Sequence, residues 1–179
     1  ALAAAVALPG LAVTSIGNDA FAGSLFWGNG SAHTQFNGRD SYQYRNSATG
    51  EKINLTMKGR VEFNADESDI ASMDPQAEFE LSDTTKGLTR ELVVTQVDGK
   101  LVRDYRVDGD TARFDAAARA WLAERLPHLM RETGMNAEAR GKRILADGGA
   151  AALLTEIDLI RGDHARRRYL EVLFANATL

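Results

Sequence analysis

The sequence predicts an α+β fold: an antiparallel β-meander covered by a long kinked helix and followed by three shorter C-terminal helices. Three observations point to it. From Glu51 to Val107 apolar residues alternate with polar ones, the period of strands with one wet face. From Phe114 to Thr133 the apolar spacing changes to three and four, the period of a helix. Beyond Gly134, shorter stretches repeat the helical spacing.

The sheet is expected over about residues 42–107, with Ser41–Arg45 as a first strand. Ile53, Leu55 and Met57 face one way and Lys52, Asn54, Thr56 and Lys58 the other. Gly59 interrupts before Val61 and Phe63 resume the pattern. Asn64–Asp69 reads as a solvated acidic turn and Ile70–Met73 as a short strand. Phe79 and Leu81 alternate with Glu78 and Glu80. Leu88–Val97 and Lys100–Val107 are two strands joined at Asp98-Gly99, a two-residue hairpin signal because both positions must tolerate positive φ. Asp108-Gly109-Asp110 then closes the sheet.

The helix over Phe114–Thr133 puts Phe114, Ala118, Trp121, Leu122, Leu126, Leu129 and Met130 on one stripe, with Arg119, Glu124, Arg125, Arg131 and Glu132 facing water. Asp115 is a start signal at the positive end of the helix, and Gly134 is a stop that accepts the left-handed conformation. Pro127 removes a ladder hydrogen bond and costs about 3 kcal/mol. The stripe runs through it, which predicts a kink rather than an end. Burial of Trp121, Leu122, Leu126 and Leu129 contributes about 1.5–3 kcal/mol each, enough to outweigh the proline. Three further helices are expected. One runs over Ala137–Asp147, capped by Asn136, ended by Gly148-Gly149 and burying Ile144 and Leu145. A second, Ala150–Ile160, carries Leu153, Leu154, Ile157 and Ile160. A third, His164–Ala175, is capped by Asp163 and carries Tyr169, Leu170, Leu173 and Phe174.

The N-terminal residues stand apart from this pattern. Ala1–Val13 is uncharged and apolar, too short to span a bilayer, and Ala20-Phe21-Ala22 has the small-x-small form of a signal cleavage site. Residues 1–22 therefore read as a signal- or anchor-like segment, or else as an apolar stretch packed on the core, and residues 23–179 as one domain with its helical part at about 114–175. Residues 23–50 are rich in Gly, Ser and Asn and read as loop. Phe26, Trp27, Phe36, Tyr42 and Tyr44 interrupt them, and such aromatics either form an exposed binding surface or cap the open end of the sheet. As a contact surface, the region would be removable: deleting residues 23–45 would leave the domain folded and abolish partner capture.

The net charge of −4 and a pI near 5.4 give no electrostatic reason to expect nucleic acid binding. The chain has no cysteine, which rules out disulfides, cysteine-based zinc sites and thiol catalysis. His33, His128 and His164 lack any two-histidine helical spacing, and no metal or cofactor is expected. The oxygens of Asn64, Asp66, Glu67 and Asp69 miss the calcium-loop pattern, which needs glycine where Asp69 stands. Gly28-Asn29-Gly30-Ser31 beside His33 lacks the strand-and-helix frame of a serine nucleophile elbow or a phosphate cradle. Arg161, Arg166, Arg167 and Arg168 form a basic cluster. It reads as a solvated face pairing with Glu171, Asp158 or Asp163, or as a contact for an acidic partner or anionic headgroups, with Arg166 placed to stack on Tyr169.

GRVEFNADESDIASMDPQAEFEL, VDGDTARFDAAARAWLAERLPHLMRETG and DHARRRYLEVL together resemble an uncharacterised bacterial extracytoplasmic domain, of the kind sometimes found with BlaR1-type membrane metallopeptidases. The resemblance runs from Gly59 to Phe174, about two thirds of the chain. It implies a place behind a signal or membrane segment. It brings no peptidase activity, because the HExxH zinc motif is absent. The expected function is a non-enzymatic periplasmic or otherwise extracytoplasmic module that senses, binds or scaffolds a protein or envelope component, anchored through its N-terminal segment. Two alternatives stand beside it: a hydrolase with a dispersed active site using His128 or the carboxylates of residues 64–69, and a structural spacer extended by helical repeats.

Overall fold

The computed structural model of the chain describes residues 30–176. In order they form β1 (Gly30–Phe36), β2 (Arg39–Asn46), β3 (Glu51–Lys58), β4 (Val61–Phe63), β5 (Ile70–Met73), β6 (Glu78–Thr85), β7 (Leu88–Val97), β8 (Lys100–Val107), β9 (Asp110–Ala112), α1 (Ala116–Thr133), α2 (Ala137–Leu159) and α3 (Asp163–Asn176). The class is α+β. Seven strands make one antiparallel sheet in the order β1-β2-β3-β6-β7-β8-β9, and β4 and β5 form a separate hairpin. Among the described residues that hairpin is the only excursion between sheet neighbours: β3 pairs with β6 across it.

Two-residue turns set the sheet's registers. Asn37-Gly38, Lys86-Gly87, Asp98-Gly99 and Asp108-Gly109 all carry positive φ at both positions, the turn whose twist matches the twist of paired strands. The strand expected at Ser41–Arg45 lies within β2, and the loop expected over the rest of residues 23–50 is corrected here for the described residues. Residues 30–36 and 39–46 are strands in full register, folded back on each other at Asn37-Gly38. Composition misled because Ser, Asn and Gln are tolerated where one face of a strand is wet. The sheet accordingly runs from Gly30 to Ala112, wider than the 42–107 expected.

Period-two alternation brings Tyr44, Ile53, Leu55, Phe79, Leu81, Leu92, Val94 and Tyr105 to one face. They share one core with Ala118, Trp121, Leu122, Leu126, Leu129 and Met130 of α1 and with Ile70 and Met73 of β5. Trp121 lies against Tyr105, rings 5.6 Å apart, and Tyr105 against Phe114 at 5.8 Å. At its start, the Asp115 side chain accepts from the amides of Ala117 and Ala118. At its end, Gly134 takes φ 71 and returns its N–H to the Met130 carbonyl. No other residue fits Gly134 well: a Cβ there would sit 3.1 Å from the Ala165 Cα. The helix continues through Pro127.

Three shorter helices were expected after α1. The structure has α2 and α3, and the 23 residues of α2 are two helical runs that meet at a kink, where Gly149 takes φ 68 and ψ −168, so the break expected at Gly148-Gly149 is present. Asn136 stands at the N-cap position of α2, but its backbone is left-handed and its side chain makes no cap hydrogen bond. Asp163 lies in the first turn of α3 instead of capping it. Ala137, Leu153, Ile157, Ile160, Ala165, Tyr169 and Leu173 form a second core between α2 and α3, with Ile144 and Leu145 half-buried against it. The expected stripes are too wide at two places: Leu154 is 46 % exposed and Phe174 75 %. No described helix is long and apolar enough to cross a membrane.

Leu126 is fully buried between helix and sheet. Leu126→Ala should therefore lower unfolding free energy by about 2–5 kcal/mol in urea titration; a loss below about 1 kcal/mol would mean the helix does not seal that core.

Candidate functional site

Four places among the described residues bring reactive or polar side chains together: two buried clasps, an open groove and a smaller hollow.

The first clasp ties the sheet to α1. Asp83 of β6 is fully buried. Its Oδ2 accepts from the Trp121 indole N–H at 2.8 Å, and its Oδ1 accepts from the Thr85 hydroxyl at 2.8 Å. The Arg125 Nε lies 2.9 Å from Oδ2, a charge contact in which the N–H is turned off the line to the oxygen. The same guanidinium donates to Glu51 Oε1 at 2.6 Å and to Thr85 Oγ1 at 3.2 Å. His128 stands one turn on, its Nε2 3.9 Å from Glu51 and its ring edge-on to Tyr44 at 5.1 Å. Arg125 was expected to face water, yet its side chain is only 14 % exposed. The reason lies in Asp83, whose charge would be costly inside the core without a cation beside it. Glu132, also expected in water, is buried at 3 % exposure.

The second clasp joins the β4–β5 hairpin to the helices. Asn64 holds the hairpin loop: its Oδ1 accepts from the Asp69 amide at 2.9 Å and its Nδ2 donates to Ser68 Oγ at 2.8 Å. Glu67, at φ 59, is pushed inward and is 2 % exposed. Its carboxylate pairs with Arg140 and Arg143 of α2. Arg140 also reaches Glu156 Oε1 at 2.9 Å, which Arg131 of α1 binds at 2.8 Å. Residues 64–69 are therefore no solvated turn at Glu67. Burial works against the charge on Glu156, but the Arg131 hydrogen bond and the nearby Arg140 and Arg131 charges outweigh it and hold its pKa below the ordinary value. Tyr169 lies near the same network, with burial pushing its hydroxyl up to about 12.

The groove lies where α1 begins. Leu88, Arg90, Tyr105, Val107, Ala112, Arg113, Asp115, Ala117 and Ala118 line a hollow of about 290 Å³, near the lower bound of roughly 300 Å³ for ligand pockets. Its floor is apolar. Arg90 is the cross-strand neighbour of Asp83, but Asp83 turns to Trp121 and Arg125 instead. Neither Arg90 nor Arg113 has a carboxylate partner among the described residues. A smaller hollow of about 130 Å³ is lined by Arg60, Glu62, Ser72, Met73 and Asp74. There Ser72 Oγ donates to Glu62 Oε2 at 2.7 Å, and Glu62 pairs with Arg60, but both ionic side chains are about half exposed or more, at 48 % and 72 %.

The aromatic surface proposed for residues 26–44 is only partly within the described residues. Phe26 and Trp27 lie outside them, and the structure describes the backbone of Phe36 alone. Tyr42 is half-buried and stacks on His33 with rings 4.4 Å apart. Tyr44 is 4 % exposed and belongs to the main core, which takes its side chain out of any contact surface. Deleting residues 23–45 would remove β1 and most of β2 together with Tyr44, so a folded deletion product is no longer expected.

The three histidines sit apart in role. His33 bonds Asp40 at 2.9 Å, His128 meets Glu51 and Tyr44, and His164 is exposed at the start of α3. Partial burial and then the Arg167 and Arg168 charges hold the His164 pKa low. Among the described residues no three acidic or histidine side chains stand close enough to hold a metal. In the basic cluster, Arg167 reaches Glu171 at 3.6 Å in the open and Arg166 donates to the Ile160 carbonyl at 2.6 Å. The cation–ring contacts involve Arg103 and Arg119 over Phe114, where Arg166 over Tyr169 was expected. Comparisons of the chain with protein families, curated proteins and solved structures find no match.

Two outcomes follow from the clasps. Arg125→Met leaves the buried Asp83 without its cation and should cost about 3–5 kcal/mol of stability in urea titration; a loss under about 1 kcal/mol would show the contact to be incidental. Glu156 has a lowered folded pKa, so its contribution is complete above the ordinary value of 4.5 and disappears as pH falls through the lower folded value. Urea midpoints measured on acidification from neutral should drop less steeply for Glu156→Gln than for the parent; parallel curves would contradict the assignment.

Proposed function

We propose that the protein is a non-enzymatic extracytoplasmic binding or scaffolding module and that it holds its ligand in the groove at the start of α1. The single observation that carries this reading is the pairing of an apolar floor, Leu88, Tyr105, Val107 and Ala112, with two arginines that no carboxylate neutralises among the described residues. Such a surface fits a small anion with a hydrocarbon tail: the tail covers the floor and the head meets Arg90 and Arg113. Asp115 lines the same hollow and keeps its charge there, with its Oδ1 accepting from the amides of Ala117 and Ala118. In this reading α1, bent at Pro127 over the meander, is the roof that gives the groove its fixed wall. The most buried ion pairs, Asp83 with Arg125 and Glu67 with Arg140, are turned into the interior and hold elements together. The extracytoplasmic placement rests on the apolar Ala1–Val13 segment, the Ala20-Phe21-Ala22 site and the family resemblance.

A structural spacer extended by further helices is the second reading. It is favoured by Leu154, Leu159 and Phe174, which stand 46 %, 54 % and 75 % exposed on the two C-terminal helices.

The test is an amide NMR titration with octanoate, with octanol and acetate as controls. Octanoate should shift the amides of Val107, Ala112 and Ala117 and bind at least about tenfold more tightly than either control. Arg90→Gln with Arg113→Gln should reduce octanoate binding to the level of octanol. Shifts that fall elsewhere, or equal affinity for octanol, would overturn the groove assignment.

A further inference from the structure

The outer edge of β8 is unfinished. β9 pairs only with Tyr105, Arg106 and Val107, which leaves Lys100–Asp104 without a strand on that side among the described residues. The backbone groups left open can be derived from the turns. Two-residue turns at Asp98-Gly99 and Asp108-Gly109 close on Val97 with Lys100 and on Val107 with Asp110. Those closing pairs are hydrogen-bonded, and the pattern alternates along an antiparallel strand. Lys100, Val102 and Asp104 therefore direct their N–H and C=O groups toward β7. Leu101 and Arg103 direct theirs to the open edge, and no backbone bond beyond the strand ladders reaches either residue.

We propose that this edge pairs with the same edge of a second copy of the chain, antiparallel about a twofold axis at Val102. The residues choose the partner and the register. In this arrangement Leu101 of one copy exchanges both backbone hydrogen bonds with Arg103 of the other, and the symmetry repeats the exchange. On the outer face Lys100 stands opposite Asp104, and Val102 opposite Val102: opposite charges flank an apolar centre. Centring on Arg103 would set that arginine against its own copy, and centring on Leu101 would set Lys100 against Val102. Only the Val102 register is complementary. The pairing window also has natural ends. The Asp98-Gly99 turn of one copy arrives where β9 of the other ends, at Ala112 beside Tyr105. Val102, 47 % exposed, is the apolar centre of the joint, and Val97 of β7, 52 % exposed on the same face, lies one strand behind it. Arg103 keeps its ion pair with Asp69 at 2.9 Å on the opposite face. The result joins two seven-stranded sheets edge to edge.

The chain contains no cysteine, which makes the symmetry directly testable. Val102 would face itself in a non-hydrogen-bonded pair with Cα atoms about 4.5 Å apart, inside the range that a disulfide spans. The full chain carrying Val102→Cys should oxidise to a covalent dimer, while Lys52→Cys, exposed on the same face but away from the edge, should stay largely monomeric. Sedimentation of the unmodified chain over a concentration series reaching the millimolar range should show a monomer–dimer equilibrium. Lys100→Asp and Asp104→Lys should each weaken it about tenfold or more, and the double reversal should recover most of the loss. A chain that stays monomeric throughout, single reversals without effect, or equal crosslinking at residues 52 and 102 would each overturn the proposal.

Discussion

The Asp83 carboxylate organises this molecule. It is fully buried in the central strand of the sheet, with three strands on either side, and a charge in that position must be met by donors or cations. Trp121 donates to it, and Arg125, one helical turn further along α1, sets its positive charge beside it. Those two contacts fix where along the sheet the helix lies and which way it is rotated, a choice that Leu and Met side chains alone make only loosely. Arg125 then extends the link to Glu51 of β3, so one helix is tied to two neighbouring strands. The same choice frees Arg90: with Asp83 already occupied, its cross-strand neighbour is left facing the groove.

The described residues form two apolar cores, one under α1 and one between α2 and α3. Where the hairpin meets the helical pair, the link is ionic. Glu67, Arg140, Glu156 and Arg131 run from the β4–β5 loop through α2 to α1 in an unbroken chain of opposite charges. The left-handed backbone at Glu67 costs about 1–2 kcal/mol, and it persists because the side chain is held by two guanidinium groups. An apolar seam tolerates sliding, whereas a chain of paired charges has one alignment that leaves no ion bare.

Much of the sheet could be read in advance because its cause is local. Leu88–Val97, Lys100–Val107 and Ile70–Met73 have the boundaries their alternation implies, and Asp98-Gly99 turns as its residue types require. The first hairpin carried an equally good signal in Asn37-Gly38, hidden inside a segment whose Gly, Ser and Asn content suggests loop. The helix bounded by Asp115 and Gly134 follows from capping chemistry at both ends. At Leu154 and Phe174 periodicity misleads, because an apolar stripe shows which face is greasy and not whether a neighbour covers all of it.

Spacing along the chain thus determined the class of the fold, most strands, the main helix and its buried stripe, since each depends on neighbours within a few residues. The pairing of residues far apart was settled only when the chain closed on itself. Glu67 meets Arg143 and Glu51 meets Arg125 across separations of 76 and 74 positions. The open strand edge and the groove arise the same way. They are defined by what the other elements leave uncovered, and a linear pattern holds no record of that.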